Sequence, residues 1–181
     1  EHTREIVEVD VPEIDPLTQG MHFVLQTTAP KVRTAARKWQ ARYLAAKGPG
    51  RNRRKLLAQW VVACEWAISA LLEIEGSEDS NLVEAWSPGV IFSDSTRAAY
   101  QAGEDTHSHV FLLNPLDDEG RLRFTLDDLG DHAEMVASAA HEVCHAVYDW
   151  HSESYAGLLT RMMGKLMPHM ASIHREMMKA A

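Results

Sequence analysis

The amino-acid sequence predicts an α+β fold: N-terminal helices, then a small sheet, then further helices to the end of the chain. Three observations carry this. Apolar residues recur at helical spacing between residues 29 and 76, and two short β-rich runs follow a Ser-Pro-Gly turn. Helical spacing then returns from Asp131 onward. With 181 residues, of which 45% are hydrophobic, the chain suffices for one domain with its own core.

Residues 1–16 (EHTREIVEVDVPEIDP) are acidic, alternate around Val7, Val9 and Val11, and end in proline, as a solvated arm or edge strand would. Residues 17–181 read as a single domain. Val32, Ala35, Ala36, Trp39, Tyr43 and Leu44 place a helix over 29–47, which Gly48-Pro49-Gly50 stops. From Leu56 to Leu72 apolar residues lie almost all round, so a second helix is buried on most sides. VIF (90–92), HVFLLNP (109–115) and the alternating RLRFTL (121–126) are the expected strands. Asp131 is the expected N-cap of a helix that runs through Ala139 to about Tyr148. Another helix carries Tyr155, Leu158, Leu159, Met162 and Leu166, and Pro168 interrupts it.

The two cysteines, Cys64 and Cys144, sit in apolar helical contexts that favour buried, reduced thiols, so an intracellular, cytoplasmic setting is expected. No run of apolar residues reaches the roughly 18 that cross a bilayer, and no membrane partner is expected. Glu1 in place of Met suggests a processed product or a piece of a longer protein.

Charge is segregated. Between Lys31 and Lys55 stand ten Lys or Arg and no Asp or Glu, which leaves 8 basic against 26 acidic residues elsewhere. Such a patch attracts polyanions. Arg33, Arg37, Lys38, Arg42, Arg51, Arg53, Arg54 and Lys55 are the candidate phosphate contacts, with Trp39 and Tyr43 as rings that would stack on unpaired bases. The alternative occupant is the acidic arm or a partner protein.

The sharpest motif is HEVCH, residues 141–145. His141 and His145 lie one helical turn apart on one face, so their imidazoles can converge on a single ion. Glu142 stands beside them, where a carboxylate takes a proton from a water that zinc has activated. A catalytic zinc takes three protein ligands, and His151 supplies the third if the chain turns back through Asp149-Trp150; Glu153 is the alternative. Cys144 points off the ligand face and reads as core.

HEVCHAVYDWHSESYAGLL resembles the zincin metallopeptidases of the SprT-like, WLM and YgjP-like groups, with H-E-x-x-H, five residues, a third His, and an aromatic, Tyr155, four residues on. Metzincins share the histidine spacing but have a glycine between the second and third ligands, where this chain has none. The resemblance is specific over about 25 residues, looser over 90–165, and does not cover 1–85. It implies a zincin-like fold, a Zn2+ cofactor and hydrolysis of peptide bonds with Glu142 as general base. It further implies a substrate extended beside an edge strand, for which HVFLLNP is the nearest candidate, and fits a protein substrate attached to DNA. Candidate transition-state stabilisers are Tyr148, Tyr155, His107 and His109. Met162, Met163, Met167 and Met170 read as helix packing rather than a methionine turn.

Two function classes follow: a zinc metallopeptidase, and a non-catalytic module that binds nucleic acid or a partner protein through residues 31–55. Retention of Glu142 favours the enzyme. A hydrolase of non-peptide amides would share every residue.

Overall fold

The computed structural model describes residues 22–44, 50–76, 86–102 and 108–180; the acidic stretch 1–16 lies outside them. The elements run β1 (His22–Gln26), α1 (Pro30–Leu44), α2 (Gly50–Glu75), β2 (Trp86–Ser93), β3 (Ala98–Ala102) and β4 (His109–Leu113). Then come α3 (Leu129–His145), α4 (Glu153–Leu166), a 3-10 turn (Met167–His169) and α5 (Met170–Lys179). The architecture is α+β, with a mixed sheet in the order β1-β2-β4-β3. β1 and β4 run parallel to β2, and β3 runs antiparallel to β4 at the end of the sheet.

Alternation along the strands divides the sheet between two clusters. Phe23, Val90, Phe92, Phe111 and Leu113 join the main core with the helices, whereas Val24, Ile91, Val110 and Leu112 form a smaller cluster on the other face. The main core is organised around α2, which packs against α1, α3, α4 and α5. Trp60 of α2 is fully buried, and its indole N–H donates to the Phe111 carbonyl at 2.9 Å, fastening helix to sheet. Contrary to the expectation that no run is long enough, Asn52–Glu75 has the length and composition of a membrane span; charges such as Glu65 interrupt the apolar run but leave its average high. More than half of it is buried in the fold.

Two strands were illegible and one expected strand is absent. β1 (HFVLQ) and β3 (AAYQA) acquire their state by pairing with β2 and β4. RLRFTL forms only a single bridge, Leu116 to Leu122, and Leu122 is 58% exposed. Both sides of β4 are already taken, and Asp117, whose carboxylate accepts from the Glu119 and Arg121 N–H groups, folds this segment into a turn instead.

The N-cap of α3 is Asp128, not Asp131. The Asp128 side chain accepts from the Asp131 N–H at 2.9 Å, while the Asp131 carboxylate accepts from the N–H and hydroxyl of Thr125. Asp131 thus ties the first turn to the loop before it. The terminal helix is held in kind. Gln59 of α2 donates to the carbonyls of Leu126 and Met177, and the Nδ1 atoms of His132 and His174 lie 2.8 Å apart.

Gly89 in β2 sits where a Cβ would meet Leu112 Cδ2 at 2.5 Å and the His22 carbonyl oxygen at 2.7 Å. The second neighbour is backbone and cannot rotate away. Gly89→Ala is expected to destabilise the fold by about 1–3 kcal/mol, the usual cost of overpacking; a urea midpoint equal to that of the wild type would refute this.

Candidate metal centre

The last two turns of α3 bury Ala139, Ala140, Val143 and Cys144 in the core, which leaves His141 and His145 on the opposite, half-buried side. The helix ends at His145, earlier than expected. The Val147 and Tyr148 N–H groups both donate to the Cys144 carbonyl, and the chain then turns without a glycine. Ser152 donates its N–H to the Trp150 carbonyl and caps α4 by accepting from the Tyr155 N–H. This short return brings His151 back over the helix end.

One nitrogen of each of His141, His145 and His151 lies within 4.8 Å of the others, a group that could hold a metal ion. The Nε2 atoms of His141 and His151 are 3.3 Å apart. His145 Nδ1 is 3.1 Å from the Tyr148 carbonyl, so Nδ1 carries the hydrogen and Nε2 presents its lone pair to the cluster. Burial, and then its two histidine neighbours, lower the pKa of His141 and keep it neutral as a ligand must be. The negative end of the α3 dipole also favours a cation here.

Tyr155 forms the remaining wall. Its ring lies 4.8–5.4 Å, centroid to centroid, from all three imidazoles, and its hydroxyl donates to the His141 carbonyl at 2.9 Å. That hydroxyl is therefore taken up in supporting the ligand helix rather than aimed at a substrate. Tyr148 contributes through its carbonyl. Glu153 stands exposed on the first turn of α4, outside the histidine cluster.

Glu142, next to the first ligand, is 6% exposed. Burial pushes its carboxyl up to about 7, opposed by a hydrogen bond from the Tyr100 backbone in β3. β3, at the sheet end, is thus the strand that packs most extensively against α3, with the HVFLLNP strand touching the helix less. HVFLLNP is β4, enclosed between β2 and β3, because the undetected β3 takes the outer place. Tyr100 also places its hydroxyl 3.0 Å from His109 Nδ1, and burial and the Asp149 charge raise its pKa. His107 lies outside the described residues. Tyr100 was missed because AAYQA carries almost no strand signal; the Tyr alone was available.

The basic segment departs further from expectation. Trp39 and Tyr43 are 2% and 1% exposed, stacked on each other 5.5 Å apart, with Phe23 edge-on to both. They are core, so no ring is left in this helix to stack on a base. Arg53 is buried too, and desolvation followed by the Arg42 charge lowers its pKa. Arg37, Lys38 and Arg42 are exposed, while Arg33, Arg54 and Lys55 are half-buried. The Arg51 side chain lies outside the described residues. Both cysteines are free and buried; the Cys144 thiol, pushed up to about 12 by burial, faces Met162 Sδ at 3.3 Å and not the histidines.

Comparison with protein-family models, curated proteins and solved structures finds no match to this chain.

Tyr155→Phe removes the hydroxyl that supports the His141 carbonyl while keeping the ring. It should cost about 1 kcal/mol of stability and weaken metal affinity about 10–100-fold, as loss of a partner behind the ligands does. Unchanged metal affinity in a competition titration would show that the ring alone orders the cluster.

Proposed function

We propose that the protein is a zinc-dependent hydrolase of peptide bonds, with His141, His145 and His151 as ligands and Glu142 as the group that moves the proton. The observation that carries this is the convergence of three imidazoles at the end of α3, with the buried Glu142 next to His141 in the helix and lining the same cavity. The donor set fits zinc. Tetrahedral geometry with Zn–N bonds of about 2.0–2.1 Å sets ligand nitrogens about 3.3–3.4 Å apart, and the His141 and His151 Nε2 atoms are at 3.3 Å. Zinc so held supplies a Lewis acid and makes a water acidic enough to lose a proton near neutral pH.

The remaining chemistry belongs to side chains of this chain. A carboxyl with a pKa of about 7 is matched to taking a proton and handing it to a leaving amine at neutral pH. The Tyr100 backbone holds it in place. An extended substrate would pair along β3, the strand at the sheet end beside α3, rather than along β4. Burying a carboxylate costs stability, and a site that held metal only for structure would have no use for Glu142. The resemblance of HEVCH and His151 to the zincin groups agrees with this reading. Any polyanion on α1 would be met by charge alone, through Arg37, Lys38 and Arg42.

Elemental analysis of the purified protein should give about one zinc per chain, lost in His145→Ala. His151→Ala should lose zinc affinity and Glu153→Ala should not; the reverse would move the third ligand to Glu153. Glu142→Gln should keep its zinc and lose peptide turnover by about 10²–10⁴-fold. Full turnover in that variant would remove Glu142 from the mechanism.

A further inference from the structure

The first turn of α3, remote from the ligand end, carries another histidine, His132, which is fully buried. Its Nδ1 lies 2.8 Å from the Nδ1 of His174 on α5, with the ring centroids 4.9 Å apart. At that length one nitrogen carries a hydrogen and the other offers a lone pair. The separation is too short for a metal between them, since nitrogens bound to one zinc stand about 3.3–3.4 Å apart. A proton therefore joins the rings. One added proton on either ring keeps the bond, because an imidazolium still donates to a neutral neighbour; a second leaves two donors and two like charges face to face.

Among the described residues the other ties of α5 are few. Ile173 and Met177 are buried where α5 meets α2 and α3, Gln59 donates to the Met177 carbonyl at 3.1 Å, and the Trp66 indole donates to Glu176 at 2.8 Å. The 3-10 turn at Met167–His169, which contains Pro168, separates α5 from α4, so α5 can leave without unwinding its neighbour.

We propose that His132 and His174 form an acid-released latch, in which one shared proton holds α5 to α3 at neutral pH and protonation of both rings frees α5 from the core. Burial, and then the His174 charge, lower the pKa of His132; the Leu126 carbonyl, Asp131 and Asp128 oppose them only in part. An imidazole released into water takes its proton near the ordinary 6.5. Below that value the open form binds more protons than the closed one, so acid favours opening. The two aspartates are the charges from α3 and its cap that bear on the pair, and α2 contributes the uncharged Gln59. Two turns along α2, Glu65 has its pKa raised by burial and by Glu176. Glu65 holds its proton better in the closed form, so acid tightens that contact and the opening cannot come from it.

Hydrogen exchange of the wild-type protein at about pH 7.5 and about pH 5, expressed as protection factors, tests the latch. Protection across Met170–Lys179 should fall at least about tenfold at the lower pH, while that of the central strands β2 and β4 stays the same. His132→Leu combined with His174→Leu should abolish the difference, because neither leucine titrates. Loss of α5 protection in acid by this double variant would place the response elsewhere and overturn the proposal. If the double variant does not fold, the imidazole nitrogen chemical shifts of the wild type decide. One ring of the pair should carry its hydrogen on Nδ1 at neutral pH, and both should be charged where α5 opens. Hydrogens on Nε2 of both rings at neutral pH, or unchanged α5 protection in acid, would overturn the latch. These readouts need neither zinc nor substrate, so their outcome is independent of the hydrolase reading.

Discussion

The close approach of α2 and α3 is the constraint on which the rest of the structure depends. Their buried positions are small where the two helices meet: Ala63, Cys64 and Ala67 on one, Ala139, Ala140 and Cys144 on the other, all fully buried. Small facing residues let helix axes come near and bury backbone as well as side chain. Because this face of α3 is fixed against α2, the histidines one third of a turn round are fixed too. The Trp60 hydrogen bond then sets the helix pair against the sheet, which decides how far β3 lies from Glu142. A cluster whose histidines come from a rigid helix and a short return needs such a foundation, since its own residues are few and polar.

Much of the centre was legible in the sequence, because its periodicity is local. Four-residue spacing puts His141 and His145 on one face in any helix, and six further residues suffice to turn back and deliver His151. What surrounds them was less legible. β3 is alanine-rich and becomes a strand only because β4 offers it an edge, so Tyr100 and Arg97 could not be assigned to the site from their neighbours in sequence. RLRFTL shows the converse: correct alternation without a partner left to pair with.

The fate of Trp39 and Tyr43 is instructive in another way. Val32, Ala36, Trp39 and Tyr43 make an apolar stripe at helical spacing, and all four are buried. The ten basic residues drew attention to charge, yet period decides which residues face inward. Once the stripe is read first, the basic residues fall on the other face and the rings are assigned to the core, where Phe23 and Phe92 complete an aromatic cluster. Segregated charge on α1 is then a property of its solvent side and carries no information about bases.

β3 has two attachments to the centre, one at its middle and one at its start. Its Tyr100 backbone hydrogen-bonds Glu142, and Ala98, with Arg97 just before it, borders the cavity that His141 and Glu142 also line. A five-residue strand is too short to flex independently at these two points. The Glu142 carboxyl and the cavity are therefore mechanically geared: a shift of the strand moves both together, and drift in this alanine-rich segment would reshape the cavity without any change in the histidines.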